Sequence, residues 1–519
     1  MENKKKLSVG DIIGIACGVL LLLEILYFAF FGGMGPKAGV SNSQIPEGAQ
    51  VLTGTANGRN DTVKVKVVAD ENGIYQIKVL SNKETSGIGS YAVSLMPKNI
   101  CDSQNLSVDA VSGATITSDA IREAVSNALL SGGLSPYKFG GVRVIVNDNA
   151  DKVETGTKVT VLTAKDWEEQ YPEVYASYML NEENDEVVDY LEEYPMLKTF
   201  YDGYGFAKSY GSARGHYYDV NDLLDTGRPH ALANCFTCKT PDFTSKVNAE
   251  GDSVYAMAFE DIQQEINEPI SCYNCHANDP STVTVTHTYL TDAVGEDFEN
   301  IDAADLACGQ CHVEYYFDPE TKATTLPYSN LDTMNPDSIL EYYKEMGFSD
   351  FTSPNTGVQQ IKVQHPELET FLGEGSQHRN KYTCADCHMG DAVSEDGTTY
   401  KVHNLTSPLE NDALIKSECS TCHEDLVGQI RELQAEVEDR TNEVADELLV
   451  LTDKLAAEVA SGNMSEDELN EVRGLARDAQ FYWDFVFVEN SEGAHNSKLT
   501  YQCLDKSEAL INEALAKLG

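Results

Sequence analysis

Residues 235–239 read "CFTCK", and four later stretches repeat its cysteine spacing: "CYNCH" (272–276), "CGQCH" (308–312), "CADCH" (384–388) and "CSTCH" (419–423). Ten of the 13 cysteines therefore fall in five C-x-x-C pairs, leaving Cys17, Cys101 and Cys503. A disulfide framework would not concentrate its cysteines in this way. Zinc sites gather four ligands from two such halves, and five halves do not pair up. In C-x-x-C-H the thiols lie one helical turn apart, so both can form thioethers to one haem edge while the next residue reaches the iron. The spacing predicts five haem c groups, on Cys235/Cys238, Cys272/Cys275, Cys308/Cys311, Cys384/Cys387 and Cys419/Cys422. His276, His312, His388 and His423 are the expected iron ligands, with Lys239 in that role at the first motif. An amine binds iron only when neutral, so the metal must displace its proton.

Four of the 11 histidines sit in these motifs. The other seven are His216, His230, His287, His365, His378, His403 and His495, enough to close four ordinary haems with three to spare. An iron carrying an unusual ligand and an open opposite face is a candidate catalytic centre, and fully ligated irons serve it as wiring.

With 84 acidic against 37 basic residues, the net charge of −47 argues against nucleic acid or anionic membrane surfaces as partners. The chain of 519 residues is long enough for several domains. A basic tip at 1–11, with Lys4, Lys5 and Lys6, precedes an apolar run from Ile12 to Phe31 interrupted by Glu24. A transmembrane anchor at 12–33 is expected, with the tip in the cytoplasm and the body outside the cell membrane. A cleaved signal peptide is the competing reading. After a linker at 34–47, residues 48–155 are β-rich: "DTVKVKVVAD" and "GIYQIKVL" flank an Asn-Gly turn and read as a hairpin. "TSDAIREAVSNALLSGG" reads as a helix, and "GVRVIVNDN" and "TKVTVLTAKD" as further strands. Residues 160–519 are helical and loop-rich, with long C-terminal helices from 424 to about 490 broken near "SGNMSEDE", where Ser465 caps the second. The expected fold is multidomain: an N-terminal transmembrane helix, a small α+β domain and a mainly α multihaem domain.

"DAVSGATITSDAI" (109–121) resembles the FMN-binding domain of membrane redox complexes of the Rnf and sodium-pumping quinone reductase type. That resemblance implies FMN carried on Thr117 through a phosphoester, with Ser112, Gly113, Ala114 and Thr115 completing the motif. A helix start suits a phosphate, because its free N–H groups and dipole favour negative charge.

One C-x-x-C-K followed by four C-x-x-C-H resembles the ammonia-forming pentahaem cytochrome c nitrite reductases. "RGHYYDVNDLLDTGR", "CGQCHVEYYF", "KVQHPE" and "CADCHM" fall in that family's order, and the likeness runs from about 165 to 497. It implies that Arg228, Tyr315 and His365 line the open face of the Lys239 haem. It also implies distal ligands: His216 for the third haem, His378 for the fifth, His403 for the second and His495 for the fourth. His230 and His287 are left over and expected at the surface. Glu314, Gln364 and the carbonyls of Tyr315 and Lys362 match the family's calcium site, an all-oxygen set suited to a hard cation. A homodimer is implied as well. The family draws electrons from a separate cytochrome, whereas here a flavin domain stands in front, fed by a membrane redox donor. Nitrite reduction to ammonium is the function expected. Reduction of hydroxylamine or sulfite on the same architecture, and a flavin–cytochrome conduit without catalysis, are the alternatives.

Overall fold

The computed structural model describes residues 45–46, 48–59, 62–85, 89–106, 108, 110–111, 114–132, 134, 136–139 and 149–519, apart from 230, 380 and 395–398. The expected anchor at 12–33 lies outside these residues, as does nearly all of the strand expected at 141–149. Among the described residues no helix is long and apolar enough to cross a membrane. The chain divides into two compact units, Met1–Val144 and Ile145–Gly519.

In the first unit β1 (Gln50–Asn57), β2 (Thr62–Asp70) and β3 (Gly73–Ser81) form an antiparallel meander. The β2–β3 turn closes because Asp70 Oδ1 accepts from the Asn72 and Gly73 amides, at 2.7 and 3.1 Å, and from the Tyr75 hydroxyl at 2.8 Å. Alternation along β2 turns Val63, Val65 and Val67 to one buried face. Helices α1 (Gly89–Ser103) and α2 (Thr115–Ser131) share that core through Ala92, Met96, Ile121, Val125 and Leu129. A Cβ at Gly54 would stand 2.1 Å from the Ala124 carbonyl oxygen, so glycine is what lets α2 approach β1.

The second unit begins before the boundary expected at 155: Asp151–Lys152 pairs in parallel with Thr284–Val285. The strand expected in "TKVTVLTAKD" is absent. The stretch is largely exposed and runs into a 3-10 turn at Ala164–Trp167, because period-two alternation without a partner strand does not make a sheet. Three long helices close the unit: α3 (Leu426–Ser461), α4 (Glu466–Phe487) and α5 (Ser497–Leu518). Gly462, left-handed at φ 66°, ends α3, and the Ser465–Glu468 capping box starts α4. Val437, Thr441, Val444, Leu448, Leu451 and Leu455 form the buried stripe of α3, spaced alternately by four and three. Against it, fully buried Trp483 of α4 donates to the Thr441 carbonyl at 2.9 Å and meets Phe200 edge-on at 5.0 Å. From α4, Asp484 accepts the Val363 amide at 2.9 Å, and past its end Asn490 donates to Glu367 at 2.6 Å. The long helices thus hold the segment 362–367 in place.

Candidate haem relay and catalytic pocket

Local sequence explains how each cysteine pair is presented. In Cys272–His276 and Cys384–His388 a capping box starts a single helical turn, Ser271 with Asn274 and Thr383 with Asp386. The residue just before the second cysteine thus caps the turn that aligns both thiols. In the third and fifth motifs His312 N and His423 N each donate to the first cysteine's carbonyl at 3.0 Å, again one turn. The first motif differs. Cys238 is left-handed at φ 58°, and Lys239 N donates to the Phe236 carbonyl at 3.1 Å, not to Cys235. Thr240 and Pro241 then open a new helix, Pro241–Glu250. The turn that carries a lysine is therefore built differently from those that carry histidines.

Each motif histidine has a second histidine beside it. Ring centroids stand 6.3 Å apart for His312 and His216, 6.5 Å for His276 and His403, 6.1 Å for His388 and His495, and 6.3 Å for His423 and His378. Two imidazole nitrogens sharing one metal at about 2 Å each require ring centroids roughly 6 Å apart. Nδ1 is engaged elsewhere, which leaves Nε2 for a metal: His276 on the Thr282 carbonyl (2.6 Å), His388 on Thr406 (3.1 Å), His403 on Lys401 (2.8 Å) and His423 on the Gln429 side chain (3.2 Å). His495 sets Nδ1 on Glu489 at 2.6 Å. Burial pushes His216 and His388 down to about 4, the neutral form a metal needs. Burial would also lower His312, but Glu367 outweighs it and pushes the group up to about 9.

The cysteine turns follow one another in space. The sulfurs of Cys238 and Cys311 lie within 4.8 Å of each other, and Cys308 lies beside Cys384. Cys387 lies within electrostatic reach of Cys419, and Cys275 of Cys308. The motifs thus run first, third, fourth, fifth, with the second beside the third.

One thiol differs from the rest in burial. Nine of the ten motif cysteines are half-buried, whereas Cys422 is exposed. Its motif stands at the end of the row, so no further cysteine turn covers it on the outer side. The chain there makes only a short 3-10 turn, Cys419–Thr421, in place of the capped helical turn of the second and fourth motifs. Cys422 is therefore not the enclosed thiol that an interior haem pocket would give, and a haem on this pair would keep that edge toward solvent. The turn itself is intact: the Cys422 amide returns to the Cys419 carbonyl at 3.1 Å, which keeps the two residues one turn apart.

Around Lys239, burial and charge combine. The Lys239 amine lies 3.0 Å from Asp219 Oδ1; burial lowers its proton affinity, the carboxylate outweighs that, and the net direction is upward. Arg228, half-buried, stacks its guanidinium 4.2 Å over Phe206 and donates Nε to Thr226 at 3.3 Å. Its terminal nitrogens hold no hydrogen bond among the described residues. Tyr315 senses the charges of Cys238 and Arg228, and burial raises its phenol well above the usual range. His365 stands 6.2 Å from His312 by ring centroids, and both present Nδ1 to the carboxylate of Glu367. Because these two rings share a carboxylate through Nδ1, the partner that fits His312 across a metal is His216.

Behind this pocket Glu314 is fully buried. Its carboxylate accepts from Tyr343 Oη at 2.8 Å and from Gln364 N at 2.6 Å, and the Gln364 side-chain amide sits 2.8 Å from the Lys362 carbonyl. Burial raises Glu314 well above the carboxylate range and pushes Asp350 and Glu369 up to about 7 and about 8. Two buried carboxylates, the half-buried Asp350 and an amide meeting a carbonyl supply oxygen donors of the kind a hard cation takes, and such a cation would offset the repulsion between the carboxylates.

The profile of the cytochrome c552 family matches residues 163–519, and that of the FMN-binding domain matches residues 58–130. The chain belongs to the cytochrome c552 family. Cytochrome c-552 of Desulfotalea psychrophila is 30% identical over 387 residues, covering 68% of this chain and 74% of that protein. Cytochrome c-552 of Aliarcobacter butzleri is 29% identical over 412 residues, 72% of this chain and 82% of its own. Among solved structures, cytochrome c nitrite reductase from Desulfovibrio desulfuricans superposes with a TM-score of 0.62 at 27% identity, over 69% of this chain and 86% of that one. That structure is described as a catalytic subunit with two calcium sites. The second unit is thus a nitrite reductase-like multihaem cytochrome c, and the paired histidines beside paired cysteines fit the haem c this family carries.

The two spare histidines meet the structure differently. His230 lies outside the described residues. His287, expected at the surface of this cytochrome c552 unit, is 4% exposed, its ring set between Gln310 Oε1 (3.1 Å) and Thr244 Oγ1 (3.3 Å). Gln310 lies inside "CGQCH"; its side-chain oxygen accepts from the His287 amide and faces the His287 ring, while its side-chain nitrogen donates to the Ala307 and Asn274 carbonyls. Burial holds His287 down to about 4 against 6.5 when free. Its contribution to stability is present above pH 6.5 and is lost as pH falls toward 4, because the unfolded chain takes up the proton first. That loss is about 3 kcal/mol. The His287→Gln variant is expected to show a correspondingly flatter fall in thermal unfolding temperature between pH 6.5 and 4.

In the FMN-binding unit, Ser112 and Gly113 lie outside the described residues, Ala114 is buried, and Thr115 opens α2. Thr117 is 3% exposed and donates its hydroxyl to Glu84. Ser118 Oγ accepts the Val111 amide at 3.0 Å and donates to the Ala114 carbonyl at 2.9 Å, which fixes the entry to the helix.

Proposed function

We propose that this protein is a membrane-anchored, outward-facing reductase that converts nitrite to ammonium, with two waters released, at a haem carried on Cys235 and Cys238 and ligated by Lys239. The observation that carries the reading is an asymmetry. Every C-x-x-C-H histidine has a second histidine at ligand spacing, and Lys239 has none among the described residues. Haems held by the four histidine pairs would pass electrons, and a haem held by Cys235, Cys238 and Lys239 would offer its iron to substrate. A bound haem iron supplies the electrons and the Lewis acidity for breaking the nitrogen–oxygen bonds.

The chain's own residues bind and protonate. Arg228, always cationic and with its fork free, holds the anion. Tyr315, kept protonated by burial, donates to a substrate oxygen, and His365 delivers protons. Asp219 accepts from the Lys239 amine, orienting it without occupying its lone pair. Calcium held by Glu314, Gln364 and the Tyr315 and Lys362 carbonyls would fix Tyr315 and raise the positive potential of the pocket. FMN held on Thr117 would supply the entry point for electrons from a membrane donor. A phosphoester on the Thr117 hydroxyl would displace its hydrogen bond to Glu84, since it removes the donated proton and sets two anions together.

The reading is tested by following nitrite-dependent oxidation of a reduced viologen dye by the purified protein while measuring ammonium. One ammonium per nitrite supports it. Turnover of hydroxylamine or sulfite but not nitrite moves the assignment to another reductase, and no turnover at all leaves a conduit. In the same preparation Thr117→Val is expected to lose the fluorescent flavin band on a denaturing gel while retaining dye-driven nitrite turnover.

A further inference from the structure

Glu367 opens the short helix Glu367–Leu372, with its side chain 9% exposed. Its two oxygens face different histidines. Oε2 lies 3.7 Å from Nδ1 of His312, the histidine of the third motif, and Oε1 lies 3.9 Å from Nδ1 of His365, the histidine of the substrate pocket. Asn490 holds Oε1 at 2.6 Å, and Leu368 N donates to the His312 carbonyl at 3.0 Å, so carboxylate and ring are fixed to one another by separate bonds. His365 Nδ1 and Glu367 Oε2 are both buried and have no hydrogen-bond partner among the described residues. The remaining gaps are about an ångström longer than a hydrogen bond, a span that a small rotation of the carboxylate or one bridging water closes.

A comparison within the molecule shows what is particular here. His495 has its own carboxylate, Glu489 at 2.6 Å, and His276, His388 and His403 use backbone carbonyls. Among the described residues, Glu367 is the carboxylate that serves two histidines, one of them a ligand candidate and the other not. A carboxylate on the outer nitrogen of a metal-bound imidazole fixes its ring and raises its basicity, and it orients a free imidazole in the same way.

We propose that Glu367 is a positioning residue joining pocket to relay: one carboxylate aims His365 at the substrate and holds the third-motif ligand His312. This rests on the reading of the pocket given above. Because the two rings share one anchor, a displacement required by either is felt by the other. Substrate-side geometry and the donor strength of the His216/His312 pair are therefore set together.

The test is Glu367→Gln in the full-length, haem-loaded protein. Spectroelectrochemical titration is expected to show one low-spin haem moving to higher potential while the other haems stay in place. Nitrite turnover is expected to fall about 10- to 100-fold in kcat with KM changed by less than about twofold. Unchanged potentials with unchanged turnover overturn the proposal. Loss of a low-spin haem signal, or a shift of every haem, makes Glu367 a scaffold residue and overturns it equally. Should the variant fail to take up its haems, Asn490→Ser frees Oε1 while keeping the carboxylate. The same single-haem shift with a several-fold loss in kcat is then expected, and its absence counts against the proposal. If the unmodified protein does not turn over nitrite, the functional reading fails by itself, and the single-haem shift alone decides the role of Glu367.

Discussion

Replacing Lys239 with alanine lowers nitrite turnover by at least about 100-fold while the bis-histidine haems keep their low-spin spectra. A reacting centre displaced by even an ångström loses that much. Ultraviolet–visible and electron paramagnetic resonance spectra, taken beside the dye assay, separate loss of the ligand from loss of the haem. Lys239→His, which completes a fifth C-x-x-C-H, does not restore activity. The backbone at this motif is built for another residue: Cys238 is left-handed and the Lys239 amide bonds to Phe236, whereas the histidine amides of the third and fifth motifs bond to their first cysteine. An imidazole placed on that turn starts from a different position and has a shorter reach than the lysine stem. It also meets Asp219, which lies 3.0 Å from the present amine. Full activity in Lys239→His would remove the lysine from the mechanism.

Arg228→Ala lowers kcat/KM for nitrite by about 10²- to 10³-fold, the usual cost of removing one preorganised donor from a site of developing charge. Arg228→Lys recovers only part of this, since a point charge does not reproduce a planar fork that grips two oxygens at once. The guanidinium plane is set by Phe206 beneath it and Thr226 at Nε, and neither contact serves an ammonium in the same way. Steady-state kinetics on the two variants and on the unmodified protein check both statements. Equal rates for Arg228→Ala and the parent would place the anion elsewhere.

Much of this architecture could be read from local signals, and the misses have physical causes. The hairpin at Asp70–Gly73 was readable because Asp, Asn and Gly each perform a separate task in one turn. Helix α1 was not anticipated: Pro97 sits inside it, and its buried face of Gly89, Ala92, Met96 and Ile100 is spaced as a helix only when the proline is overlooked. The Gly462–Ser465 break between α3 and α4 carries cap residues on both sides and was legible. Helix α5 was not foreseen, as its face is defined by the packing of Cys503, Leu504 and Ile511 onto its neighbours. Haem carriage follows from cysteine spacing alone, but how deeply each thiol lies does not: the exposure of Cys422 depends on what the fold sets beside its turn. Nor does spacing give the partner of each motif histidine, because rings as far apart in sequence as His276 and His403 meet only through the fold, and family likeness supplied those pairs. Asp219 and Glu367 went unnoticed for the same reason, and His287 was expected at the surface instead. Asp219 and Glu367 are each a single polar residue in a stretch quoted for something else, and for all three only the distance to a side chain elsewhere gives a task.

The two compact units, Met1–Val144 and Ile145–Gly519, are carried by one polypeptide. If electrons pass from the first to the second, that passage is a first-order event, governed by an effective concentration of order millimolar for a short connection, not by how much enzyme is present. A reductase that waits for a diffusing donor slows on dilution, whereas one fused to its donor keeps its pace however thinly it is spread. Activity per molecule driven through the flavin should therefore be flat across a dilution series, and separating the two units should make it fall in proportion.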